Sequence, residues 1–189
     1  MEQKRGRSTI LFEHPPVIRS MASVAGTKEG EGPLGTLFDI VEQDDKMGKE
    51  NWEEAESAIQ EKAARMAITK ADLTENQVDY CFAGDLLGQL IATSFGTGSL
   101  KIPIFGLYGA CSTMGEALGL GAMTVNGGYG KNVLAMASSH FATAEKEFRF
   151  PLAYGNQRPK SATWTVTGCG AAVVGKYGEK GIAKIAGLT

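Results

Sequence analysis

The sequence predicts an α/β layered domain, and three observations point to it. Short β-like runs alternate with helical stretches along most of the chain, the pattern of strands crossed by helices. The 189 residues are 43% hydrophobic and 21% charged, enough apolar material for one substantial core. The 25 glycines, about twice ordinary usage, are aperiodic. Many of them close apolar runs, as at Gly84, Gly88, Gly106, Gly109, Gly127, Gly128, Gly168 and Gly170, where sharp turns and close layer packing need them.

Residues 1–16 read as a flexible, basic N-terminus ending in Pro15 and Pro16, which block a helix there. Val17 to Ala25 alternates loosely and reads as a first strand. Lys28 to Asp45, rich in Gly, Glu and Asp, reads as a long loop. Asn51 to Lys70 is the clearest helix. Asn51 can cap it, Glu54 stands at capping-box spacing, and Glu53, Glu54, Arg65 and Lys70 suit the two ends of the dipole. Trp52, Ala55, Ile59, Ala63 and Met66 form its apolar stripe.

Val78 to Gly84 reads as a buried strand, Leu86 to Phe95 as a weaker helix, and Ile102 to Phe105 as a short strand. A glycine-bearing turn then leads into a helix from Ser112 to Val125, stopped by Asn126, Gly127 and Gly128. Val133 to Ser139 is another strand. Phe141 to Ala162 has no regular pattern and reads as a functional or partner-binding loop. Thr163 to Lys176 holds two β-like runs around Gly168, Cys169 and Gly170.

Charge and cysteine usage exclude several classes. Nineteen basic against 21 acidic residues give no broad attraction for nucleic acid or an anionic membrane. The apolar stretch from Ile102 to Leu120 is broken by Gly106, Gly109, Gly115 and Glu116, and the charged start is no secretory signal. Three widely spaced cysteines make neither a disulfide framework nor a zinc site, so a soluble protein of a reducing compartment is expected, with no metal.

Cys111 is the sharpest chemical feature. It stands on a tight connection between a strand and a helix, where the dipole and free amides favour a thiolate and can hold an oxyanion, as acyl transfer to sulfur requires. The plainer alternative is a small packed side chain. Of the two histidines, His14 precedes the prolines as a surface residue. His140 ends a strand, where it either lines a pocket or packs structurally. Between His140 and Pro159, Arg149, Asn156 and Arg158 mix with Phe148, Phe150 and Tyr154. That combination suits a small aromatic acid, and equally a homodimer interface.

The residues from Gly109 to Thr113, the run VLAMASSHFATAEKEFRFPLAYGNQRP from Val133, and TWTVTGCGAAVV after it resemble the stage V sporulation protein AD (SpoVAD) family of endospore-forming bacteria. That family is a branch of the thiolase-like superfamily, and the resemblance runs from about Val17 onward. It implies a thiolase-like fold, of which residues 17–189 would be the N-terminal half: a mixed sheet flanked by helices, with Cys111 at the nucleophile position before a buried helix. It also implies binding of dipicolinic acid and its uptake into the developing spore, beside the SpoVA membrane proteins on the cytoplasmic side of the forespore inner membrane. No cofactor is implied.

By the same resemblance Cys111, His140, Arg149, Asn156 and Arg158 become the ligand-binding candidates. The second half's histidine and its further Asn, His or Cys would fall beyond Thr189, so a truncated, non-catalytic chain is expected. The alternative is an acyltransferase using Cys111. The Gly-Asp-Gly often seen before the last strand of a thiolase half is here Gly168-Cys169-Gly170, and the helix after Cys111 should expose the face meant for its counterpart.

Overall fold

The computed structural model describes residues 3–86, 89–148 and 165–189. Lys4–Arg5 (β1) and Thr9–Leu11 (β2) come first, followed by Val17–Ala25 (β3), Thr27–Gly30 (α1) and Ile40–Val41 (β4). Next are Trp52–Lys70 (α2), Tyr80–Asp85 (β5), Ile91–Gly98 (α3), Ile104–Gly106 (β6) and Thr113–Asn126 (α4). Asn132–Ser139 (β7), Phe141–Phe148 (α5), Gly168–Gly175 (β8), Ala183–Lys184 (β9) and Gly187–Leu188 (β10) complete the order.

The main sheet runs β4-β3-β8-β7-β5-β6, with β9 also on β3. β5 lies parallel to β6 and β7, and β3 parallel to β4, whereas β8 is antiparallel to both β3 and β7. The sheet is therefore mixed, and the crossovers are parallel only outside β8. Side chains alternate between two cores. Leu134 and Met136 of β7 with Cys169, Ala171 and Val173 of β8 meet Ile59, Ala63 and Ala67 of α2. Val133 and Ala135 with Val174 meet Ala117 and Val125 of α4 on the other face. A strand covered on both faces must be apolar throughout, which is why Val133 to Met136 reads as an unbroken run.

Helix α2 forms as its sequence dictates. The Asn51 side chain accepts the Glu54 N–H at 2.8 Å, while the Glu54 carboxylate accepts the Glu50 N–H at 3.3 Å instead of closing a reciprocal box on Asn51. Helix α3 crosses α2 at Gly96, where an added Cβ would lie 2.7 Å from the Ser57 carbonyl oxygen. Only glycine allows that approach.

Several expectations are corrected. The N-terminus pairs: β1 joins β2 and β2 joins β10, all antiparallel, because Thr9–Leu11 finds a partner in the last residues of the chain. The loop from Lys28 to Asp45 holds most of α1, a 3-10 turn at Gly35–Leu37 and β4. Helix α3 starts at Ile91, five residues later than the pattern suggests. Phe141–Phe148 is helical. Of the two β-like runs around Gly168, the second falls largely within the strand Gly168–Gly175, which also takes in Cys169 and Gly170, while the described part of the first, Thr165–Thr167, forms no strand. Helix α4 buries Ala117, Gly121, Ala122 and Val125 and leaves Leu120 and Met123 exposed at 39% and 46%.

Ile59 is fully buried between α2 and the sheet. Ile59→Ala should cost about 2–5 kcal/mol in urea unfolding. Leu37→Ala, at a side chain 75% exposed, should stay within about 0.5 kcal/mol.

Candidate functional site

The register puts the chemically capable residues at one end of the main sheet. Ala25 and Ser139 both stand opposite Gly168, Asp85 opposite Ser138, and Ala83 opposite Gly106. The turn carrying Cys111 follows from β6 at this same end. Leu107 N–H bonds the Ala83 carbonyl at 2.8 Å, and a Cβ on Gly84 would stand 2.2 Å from the Leu107 oxygen. Gly84 is thus required to let the turn close over β5.

Cys111 lies in a 3-10 turn, Ala110–Ser112, directly before α4, and is solvent-exposed. Ala110 takes φ +47°, a left-handed conformation costly for a residue with a Cβ. Ser112 Oγ braces the turn by donating to the Gly109 carbonyl (2.8 Å) or the Glu116 carboxylate (2.9 Å). Cys81 and Cys169 are buried, and burial pushes the Cys81 thiol up to about 12 and Cys169 well above its ordinary value. Both are inert core.

His140 is fully buried, and both ring nitrogens are engaged by the backbone. The Ala142 N–H donates to Nδ1 at 3.2 Å, so Nε2 carries the proton and donates to the Asp45 carbonyl at 2.8 Å. Burial lowers its pKa, and the ring packs near Trp52 (5.3 Å) and Phe141 (5.1 Å). His140 anchors the start of α5 from behind and has no ring nitrogen left to activate Cys111 or bind a ligand. His14 lies against Tyr177. Arg149, Asn156 and Arg158 fall outside the described residues.

In front of His140 opens a cavity of about 320 Å³, lined among others by Thr27, Lys28, Asp45, Phe141, Thr165 and Thr167. Its size is that of a small-molecule site. Its wall is tied together by Phe141 N–H donating to Thr167 Oγ1 (3.1 Å) and Ser139 Oγ donating to the Val166 carbonyl (2.7 Å). Cys111 is not among the lining residues. Among the described residues no group of three or more His, Cys, Asp or Glu side chains could hold a metal ion.

Behind this wall lies a polar network absent from the sequence reading. Glu56 and Gln60 point from α2 into the interior, 1% and 0% exposed. Ser138 Oγ donates to Glu56 Oε1 at 2.7 Å and accepts from Gln60 Nε2 at 2.6 Å. Gln60 Nε2 also reaches Thr93 Oγ1 (3.1 Å), which donates to Asp85 Oδ2 (2.7 Å). Burial raises the Glu56 carboxyl from 4.5 to about 7, opposed by the bonds from Ser138 and Thr143 and assisted by Asp85 and Glu53. The signal was present in the helix: Glu56, Gln60, Ala64 and Ile68 form an i, i+4 row that continues into buried apolar residues.

A family model described as Stage V sporulation protein AD matches residues 6–188. Stage V sporulation protein AD of Bacillus subtilis (strain 168) is 44% identical over 169 residues, covering 89% of this chain and 50% of the relative. The chain therefore spans about half the length of the curated relative it matches. Among solved structures, the priming β-ketosynthase of the R1128 polyketide pathway aligns with TM-score 0.56 at 17% identity, over 88% of this chain and 52% of that one. Xanthomonas campestris OleA H285A gives 0.59 at 15% identity over 88% and 57%. The 3-oxoacyl-[acyl-carrier-protein] synthase III of Aquifex aeolicus VF5 gives 0.55 at 19% identity over 87% and 55%. These alignments establish a thiolase-like fold over about half of each of those chains.

Because the folded state keeps a proton on Glu56 between about 4.5 and about 7 that the unfolded chain has released, this group stabilises the fold most below 4.5. That contribution, at most about 3 kcal/mol, is lost as pH rises toward 7. Urea unfolding across this range should show the decline, and Glu56→Gln should remove it.

Proposed function

The chain belongs to the stage V sporulation protein AD family, and from that premise we propose that it is a non-catalytic thiolase-like protein that binds dipicolinic acid for uptake into the developing spore. The cavity beside α5 carries this reading. It is lined by the Lys28 side chain and the Thr167 hydroxyl beside the Glu31 and Asp45 carboxylates, with Phe141 as a flat apolar wall. The sequence between α5 and Thr165, outside the described residues, contains Arg149, Asn156 and Arg158. Dipicolinate is planar, aromatic and doubly anionic, the chemistry those groups recognise in combination.

The protein acts as a peripheral component beside the SpoVA membrane proteins, on the cytoplasmic side of the forespore inner membrane, and as a homodimer. In keeping with a peripheral role, no helix among the described residues is long and apolar enough to cross a membrane. The absence of turnover is supported by His140, whose ring nitrogens both serve the backbone.

A second reading is favoured by one observation, the exposed Cys111 on a left-handed turn before α4. In that case Cys111 attacks an acyl-coenzyme A thioester and its sulfur takes the acyl group as the coenzyme A thiol leaves.

Calorimetric titration with dipicolinate separates the two. We expect saturable heat from this chain and from a family member of full length, and a loss of at least tenfold in affinity for Arg158→Ala. Absence of heat from both proteins overturns dipicolinate binding. Incubation with acyl-coenzyme A should leave the intact mass unchanged, and an acyl increment lost in Cys111→Ala would establish the acyltransferase instead.

A further inference from the structure

We propose that Glu56 is a proton-operated latch that holds the start of α5, and with it the wall of the cavity, against α2 and β7. The geometry that carries this is a competition for one proton. Thr143 Oγ1 lies 2.9 Å from Glu56 Oε2 and 3.0 Å from the His140 carbonyl oxygen, yet a hydroxyl has a single hydrogen to donate. When Glu56 is neutral, its own O–H donates to Thr143 Oγ1, and the Thr143 hydrogen goes on to the His140 carbonyl. The chain α2–Thr143–His140 is then closed at every link.

When Glu56 gives its proton to water, the carboxylate takes the Thr143 hydrogen for itself. The His140 carbonyl then keeps only the Ala144 N–H, at 2.9 Å. The charge so created is buried in poor company. Asp85 at the end of β5 and Glu53 on the same helix repel it, and the Cys169 thiol of β8, held protonated by burial, brings no compensating charge. The His140 ring answers to Asp45 and Glu53. An ionised carboxylate so placed is stabilised by water, and the route to water is displacement of the first turn of α5.

That turn carries Phe141 into the cavity, while His140 holds Asp45, another lining residue, through its ring. Release of the latch therefore loosens both sides of the cavity wall. The inference concerns the wall alone and stands whatever the cavity binds.

Trp52 reports on this junction, since its ring lies 5.3 Å from His140 and 5.8 Å from Phe141. The chain has two tryptophans, so Trp164→Phe leaves Trp52 as the sole emitter. In that background we expect the emission maximum to shift with pH at a midpoint of about 7, the value to which Glu56 is raised. Glu56→Gln should abolish the midpoint. Thr143→Val keeps the acid but cuts its link to α5, so it should still lose stability with rising pH while its Trp52 emission no longer follows. A flat response in the parent, a midpoint that survives Glu56→Gln, or a Thr143→Val protein whose Trp52 still titrates at that midpoint would each overturn the latch. Should Glu56→Gln fail to fold, the Thr143→Val result decides alone.

Discussion

Strand β7 is covered by α2 on one side and α4 on the other, so every polar group at its end must find a partner inside the chain. Ser138 meets that demand by standing between Gln60 and Glu56, and Ser139 by reaching the Val166 carbonyl. His140 does so through Asp45 and Ala142. These bonds draw α2, α5, the residues before β8 and the loop before α2 to one point. The cavity opens beside that point, between α1, Asp45, Phe141 and the residues before β8.

The same constraint separates the two chemically distinctive parts of the sheet end. The Cys111 turn grows out of β6, the edge strand, and stays in solvent above α4. The polar network grows out of β5 and β7, strands at the interior of the sheet, and stays dry. A thiolase-like scaffold thus presents its reactive-looking sulfur and its buried proton acceptor at the same sheet end, with no hydrogen bond between them among the described residues.

Much of the architecture was legible because it rests on periodicity. Val17 to Ala25 was bounded to the residue, α2 ends at Lys70 as its pattern requires, and the α4 and β7 limits shift by one residue. The errors fall where pairing over long separations overrides local signal. Thr9–Leu11 is a strand because Lys4–Arg5 meets it on one side and Gly187–Leu188 on the other. Thr165–Thr167 looks like a strand yet forms none, its carbonyls and hydroxyls going to Gly26, Ser139 and Phe141 instead. At the candidate site, Cys111 and His140 were found by type and position. The partners of His140 and the role of Glu56 were not, because Asp45 lies 95 residues from His140 and Ser138 lies 82 from Glu56. Such distances leave no trace in a local pattern.

The placement of β8 between β3 and β7 has a bearing on how the chain comes to exist. Residues 17–25 and 132–139 form two edges that only residues 168–175 can join. A nascent chain emerging from the ribosome must carry both halves of the sheet, their apolar faces and backbone groups unshielded, until residues 168–175 are made. Closure then depends on contacts about 150 residues apart, the kind that slow folding and lengthen exposure to wrong partners. The interval before residues 168–175 emerge is therefore the moment of greatest hazard, and chaperone demand should peak there.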